Sequence, residues 1–512
     1  MRLAAIDYLV FGLYLVVTVA VGLWLARKED DTTDYFLAGR ALPWWIIGAS
    51  LIATNISTEH FVGMAGSGYR YGLAIASYEW MAAVTMVLVG RWFLPTFLRQ
   101  GIYTMPQFLE HRFGPAARSL LAVYLLGAYV FVAVAAVIYS GALAVSVLFG
   151  VPLWGGVLLI AGVTGVYTIY GGLKAVVYTD FVQFLVLVAG GVVATALGLR
   201  AVGGWSELLQ RAPERFHMVL PWNDPQLPWF GVFLGGLWFA NLFYWGCNQY
   251  ITQRVLAARS LAEGQRGVLF AAGLKLFTPL IVVIPGIIAY ALYHDRVGRP
   301  DQAYPFLITA IVPTGLAGLI FAGLLAAVMS TLSSMLNSSA TIFTMDLYRR
   351  YAAAGRAASE RALIGVGRWS AFVILVLATA WALALPRVSG AGGIFSYMQE
   401  FWGIITPGVA VVFLLGLFWR RATARGAVTG LVVTVPVTVG LKLAHTGLAF
   451  LNQMFVAGLL VAACVAVVSL REPAPLPRAL PPAPIDLTPV RRYWWFGGAV
   501  IAVVAGLYAL FF

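Results

Sequence analysis

The chain has 512 residues, 61% hydrophobic and only 10% charged, with a net charge of +13 and a mean hydropathy of +0.87. Soluble domains carry about a quarter charged residues, so a soluble domain this apolar could not cover its own surface, and the bilayer has to be its solvent. The basic residues are scattered between apolar segments rather than gathered on one face, which argues against nucleic-acid binding and makes them a topology signal.

A span needs about 20 apolar residues and must be helical or part of a closed barrel, because lipid satisfies no backbone group. Long apolar runs without strict alternation select helices. Fourteen are expected, over residues 7–26, 43–66, 73–98, 117–148, 153–170, 178–200, 230–252, 266–293, 313–345, 366–385, 391–419, 426–444, 447–470 and 493–511. The first is not expected to be a cleaved leader. Only Arg2 precedes it, and Arg27 and Lys28 follow at once, which puts the N-terminus outside. Fourteen spans then put the C-terminus outside too. Lys and Arg at the expected cytoplasmic ends outnumber those on the opposite side by about three to one, which supports the orientation and the number of spans together.

The second span is the least ordinary. Ser50, Thr54, Asn55, Ser57, Thr58, Glu59 and His60 crowd into it, and a continuous lipid-facing helix would not tolerate them. A discontinuous helix inside a bundle would, because its freed carbonyls can coordinate a cation. The third span carries Tyr78-Glu79-Trp80 and the sixth carries Asp180 after Tyr178-Thr179. The seventh reads Trp238 to Gly246 with Asn241 and Tyr244 within it, and the eighth places Lys275 about nine residues deep. Ionisable groups at such depth face the bundle interior, and Glu79 offers Lys275 a partner. The ninth span ends in a hydroxyl-rich run that includes Ser330 and Thr331. Most such residues are helix-packing glue. Two adjacent hydroxyls against a broken helix would also suit a hard cation.

Cys247 and Cys464 form no disulfide framework or metal spacing and read as small buried side chains. No extramembrane segment exceeds about 30 residues, and no Walker motif is present, which argues against ATP-driven transport. These features describe a broken-helix bundle with an oxygen site of the sodium type. Its cavity of Glu, Lys, Asn, Gln and aromatic side chains suits a polyhydroxylated ring, an amino acid or a nucleobase.

Longer runs narrow this. Tyr35–Gly39, Leu42–Trp45, Gly72–Trp80, Tyr170–Leu173, Asn248–Tyr250 and Met335–Asn337, continuing through Ala340–Asp346, resemble the sodium/solute symporter family and its sodium/sugar branch over almost the whole chain. The resemblance implies an all-α integral membrane protein with a 5+5 inverted-repeat core of the LeuT type. Residues 43–200 and 230–419 would be the repeats, helices 2 and 7 would be broken, 7–26 would be a peripheral first helix, and 426–511 would be three peripheral helices. It implies sodium-coupled uptake of a hexose-like sugar by alternating access in a bacterial inner membrane, with no enzyme activity.

By the same resemblance, sodium would be held by the carbonyls of Ala53, Ile56 and Ala327 and the hydroxyls of Ser330 and Thr331, with Asp180 nearby. The sugar would meet His60, Glu79, Asn241, Lys275 and Gln399. Tyr244 would stack on the sugar from the inner side, Met64, Tyr78 and Phe395 would close the outer side, and Trp245 would be a further gate residue. His60 stands where bacterial members often have glutamine. Ala82 and Ala133 stand where the galactose type has polar contacts, each lost bond weakening binding by about 0.5–1.5 kcal/mol. The alternatives are a symporter for an inositol, sugar acid or amino acid, and a sensor or leak channel on the same fold. One sodium moved down 100 mV supplies about 2.3 kcal/mol, enough for roughly fifty-fold accumulation.

Overall fold

The structure is a computed structural model that describes residues 4–25, 31–57, 59–313, 315–388, 393–474 and 485–512. Arg2, Arg27, Lys28 and Thr58 lie outside the described residues, as do the side chains of Phe395 and Gln399. The described residues form helices, with no strand among them.

Among the described residues, twelve helical stretches are long and apolar enough to cross a membrane, and two of these are double passes. Leu153–Val202 is interrupted at Gly172, whose φ of 50° and ψ of −159° reverse the chain between one helix and the next. Glu59–Arg99 turns at Gly72, where φ is +72°. Only glycine adopts such angles without strain. Divided at these two turns, the chain makes the fourteen passes expected. They are α1 (Ala5–Leu25), α2a (Trp44–Asn55) with α2b (59–71), α3 (Ser77–Trp92), α4 (Pro115–Ser146), α5 (153–171) and α6 (173–202). The series continues with α7a (Trp229–Cys247) and α7b (Gln249–Leu256), α8 (Leu261–Tyr293), α9 (Ala317–Tyr351), α10 (Glu360–Val388) and α11 (Gly393–Phe418). It closes with α12 (Ala424–Leu443), α13 (Phe450–Leu470) and α14 (Tyr493–Leu510).

Burial sorts these helices. The most apolar stretch of α9 is 94% buried, whereas those of α1, α12 and α14 are 17%, 28% and 28% buried. The first is a central post and the others form a lipid-facing rim. A helix buried on all sides has no lipid face to keep apolar, so α9 can carry its run of serines and threonines at the middle of the molecule. α1 is tied to the post by Asp7, which accepts the amides of Gly315 (3.1 Å) and Gly318 (2.8 Å) and so caps the start of α9, and by the Tyr14 hydroxyl, which donates to Met329 Sδ at 3.8 Å.

Both expected breaks are present. In α2 the helix stops at Asn55, Ile56 is extended (φ −76°, ψ 106°), and the chain resumes as a π-turn over Glu59–Met64. In α7 a π-turn over Phe243–Cys247 runs into extended Asn248 (φ −81°, ψ 123°) before α7b. Wide turns of this kind release carbonyls from the regular ladder and recur at functional sites.

The boundaries differ from expectation at the second turn. A loop was expected over 171–177, but α6 begins directly after Gly172, so Asp180 sits two helical turns into α6 rather than at its mouth. A Cβ at position 72 would lie 2.2 Å from the carbonyl oxygen of Arg215 in addition to its unfavourable φ. Gly72→Ala is therefore expected to cost about 1–3 kcal/mol. The check is the melting temperature of the detergent-purified protein, with Gly12→Ala as the control whose Cβ meets nothing within 4 Å.

Candidate functional site

A cavity of about 230 Å³ lies between the two breaks. The break of α2 supplies Asn55, Ser57, Glu59 and His60, the start of α3 supplies Tyr78 and Glu79, and α7a supplies Asn241, Tyr244 and Trp245. Lys275 reaches in from α8, Thr331 from α9, and Met398 and Trp402 from α11.

Its polar centre is an ion pair. Lys275 is fully buried and donates to Glu79, itself 3% exposed, and to the side-chain oxygen of Asn55. The Lys275 ammonium also lies 5.1 Å from the centre of the Trp245 ring. His60 Nε2 is 3.5 Å from the other oxygen of Glu79. Asn55 uses its amide nitrogen on the hydroxyl of Tyr244 at 3.0 Å. A chain of contacts therefore runs from His60 through Glu79, Lys275 and Asn55 to Tyr244, across both broken helices. Asn241 lines the cavity, and its Nδ2 has no hydrogen-bond partner among the described residues.

Beside this cavity the α2 break meets α9. The amide of Ser57, the ordinary helical partner of the Ala53 carbonyl, donates instead to His60 Nδ1 at 3.3 Å. The amide of His60, the ordinary partner of Ile56, turns to the Ser57 carbonyl at 3.0 Å. The carbonyls of Ala53 and Ile56 are thus released from the ladder. The Thr331 hydroxyl of α9 reaches the same turn, within donating distance of the Thr54 carbonyl (2.9 Å) and of the Ala327 carbonyl one turn back in its own helix (3.0 Å). Ser330 donates to Asp180 Oδ1 at 2.6 Å and lies 3.4 Å from the Thr54 hydroxyl. The five oxygens named for sodium come from two elements that touch, and they are carbonyls and hydroxyls, as a hard monovalent cation requires.

The expected residues are thus brought together, with qualifications. Met64, Tyr78, Tyr244 and Trp245 all line the cavity. Gln399 and Phe395 belong to α11, but their side chains lie outside the described residues. Ala82 lines the cavity, whereas Ala133 is fully buried in the π-turn of α4 and α4 presents Val137 instead.

Three participants went unassigned in the sequence. Asn55 was read as a mark of the break and not as the ligand joining Lys275 to Tyr244. Tyr129 of α4 supports the α7 break by donating to Asn248 and lying 3.3 Å from the Tyr250 amide. Arg254 of α7b, fully buried, was read with the basic residues at the span ends. Its signal was available: Asn248, Gln249, Thr252, Gln253 and Arg254 crowd seven residues as densely as the polar run of the second span.

Comparison with known proteins fits this arrangement. Residues 35–434 match the model of the sodium:solute symporter family. A sodium/glucose cotransporter from Vibrio parahaemolyticus is 45% identical over 91% of both chains. The sodium/myo-inositol cotransporter 2 of Oryctolagus cuniculus is 36% identical over 83% of this chain and 68% of its own. Among solved structures, an outward-open, substrate-bound sodium-coupled sialic acid symporter superposes with a TM-score of 0.84 over 92% of this chain and 99% of its own, at 24% identity. That likeness is one of fold. The helical 5+5 architecture of the LeuT type, with helices 2 and 7 broken, is the architecture of this chain.

Removing one partner of a buried ion pair strands the other, at about 3–5 kcal/mol, whereas removing both is often nearly neutral. Lys275→Met alone is accordingly expected to destabilise the protein strongly, and Glu79→Gln with Lys275→Met to regain most of the loss. Thermal unfolding of the single and double variants in detergent checks the coupling.

Proposed function

This chain belongs to the sodium:solute symporter family, and we propose that the solute it takes up with sodium is a neutral hexose-like sugar. One observation carries the reading. The carbonyl of Thr54, at the α2 break, accepts the Thr331 hydroxyl of α9, and the next residue, Asn55, accepts from Lys275 in the cavity. An ion on one side and a solute on the other would be read by the same interrupted turn, so occupancy of each changes the other's binding, as linkage requires.

In this reading sodium is cargo. It is held by the carbonyls of Ala53, Ile56 and Ala327 and by the hydroxyls of Ser330 and Thr331. Glu79 and Lys275 bond ring hydroxyls as charged acceptor and donor, which are stronger than neutral partners. His60, Asn241 and Gln399 complete the polar set. Tyr244 stacks on the sugar from the inner side, Met64, Tyr78 and Phe395 close the outer side, and Trp245 is a further gate residue. Residues 43–200 and 230–419 act as the two inverted repeats that exchange access to the site. The N- and C-termini lie outside a bacterial inner membrane, so the basic ends of the helices face the cytoplasm.

A cyclic polyol such as inositol is the second reading. Ala82 presents a methyl group to the cavity, and a relative 36% identical is a sodium/myo-inositol cotransporter.

Uptake of labelled glucose, galactose and inositol into proteoliposomes tests both. A sodium gradient is expected to drive hexose uptake above inositol uptake. Uptake of neither hexose would overturn the first reading. Ser330→Ala with Thr331→Ala is expected to abolish sodium stimulation while leaving the folded yield intact, and surviving stimulation would remove these residues from the sodium site.

A further inference from the structure

Asp180 is completely buried on α6, and the cation facing it belongs to the chain. Arg254 of α7b, equally buried, brings a guanidinium nitrogen to 3.2 Å from Asp180 Oδ2. Its Nε donates to Ser50 of α2a at 2.6 Å, the nitrogen facing Asp180 also donates to Ser334 of α9, and the third nitrogen donates to the carbonyl of Tyr250. Ser50 and Thr54 donate to the same carboxylate oxygen that faces Arg254. The other oxygen, Oδ1, accepts the Ser330 hydroxyl at 2.6 Å. The proposed sodium ligand is thus one hydrogen bond from a carboxylate whose charge is already countered.

That placement matters energetically. A bare carboxylate so close to a cation site would deepen the well for sodium, because charges interact strongly where the local dielectric is low. A carrier must also let its ion go on the side where sodium is scarce. The fork of the guanidinium, which satisfies several oxygens in fixed geometry, suits a permanently charged and fully buried partner.

We propose that Arg254 is a positioning residue that acts as the chain's own counter-cation to Asp180, and so keeps the sodium site weak enough to release its ion inward. The proposal rests on the sodium site assigned above. Arg254 touches neither sodium nor solute. It acts through Asp180 and Ser330, and because it also bonds Ser50 and Ser334 it ties α7b to α2a and α9 around the ion.

Sodium titration of uptake by the full-length protein in proteoliposomes tests this. Arg254→Gln is expected to lower the sodium concentration for half-maximal uptake by about tenfold or more, with a lower maximal rate because release becomes slow. Asp180→Asn with Arg254→Gln removes both charges, and its half-saturation is expected to return to within about threefold of the parent. A purely structural role for Arg254 predicts lower thermal stability with an unmoved sodium half-saturation. An unmoved or raised half-saturation in a folded Arg254→Gln variant overturns the proposal. If that variant does not fold, the paired variant decides: a value within threefold supports the proposal, and one weaker by more than that overturns it. Failure of the sodium-site assignment is distinguishable, since it appears as sodium stimulation surviving Ser330→Ala with Thr331→Ala.

Discussion

A helix cannot be interrupted inside hydrocarbon unless something other than water takes up the released backbone groups. That constraint organises this molecule. The turn from Asn55 to Glu59 leaves carbonyls without their usual amides, so it has to be walled in by protein. The wall on one side is α9, whose most apolar stretch is 94% buried and whose Thr331 hydroxyl reaches the Thr54 carbonyl. The wall on the other side is the cavity with its Glu79–Lys275 pair. Ion and solute chemistry are neighbours because both use the same hole in the same helix.

The charges around this hole follow a common rule. Two buried carboxylates there are answered by cations of the chain: Glu79 by Lys275, and Asp180 by Arg254. At the basic end of the bundle the same logic recurs for structure alone. Arg118 of α4 joins Asp346 of α9 at 2.7 Å and also Glu110 of the short helix Met105–Phe113, which Arg350 contacts as well. Such pairs contribute little net stability but are costly to break, so they fix which helices stand together rather than how strongly they do so.

How far the sequence reveals this depends on whether the information is local. Polar crowding is local, and the seven polar residues from Ser50 to His60 disclosed the α2 break without any structure. Depth in an apolar run is local too, and it flagged Lys275 and Glu79 as partners. The number of passes survived because glycine at 72 and 172 leaves each apolar run long enough to be counted separately. What could not be read is contact between elements far apart in the chain. Polar crowding from Asn248 to Arg254 marks that stretch as unusual, but it does not say that the Arg254 side chain meets residue 180. Asn55 likewise revealed that its helix breaks, but not that Lys275 and Tyr244 would divide its amide between them. The roles given to Ser330, Thr331 and the sugar-facing residues came from resemblance and could not have come from composition.

The turn at Gly172 has a mechanical side. With no loop between them, α5 and α6 form one stiff hairpin hinged at a single residue. At 1.5 Å per residue, the 30 residues of 173–202 extend about 45 Å from that hinge, whereas Asp180 lies only about 12 Å along it. A tilt of about 10° would carry the far tip roughly 8 Å and Asp180 only about 2 Å. The hairpin is a lever with the carboxylate near its fulcrum. Such a lever can sweep its outer end widely while the atoms next to the ion shift by less than a bond to it would span.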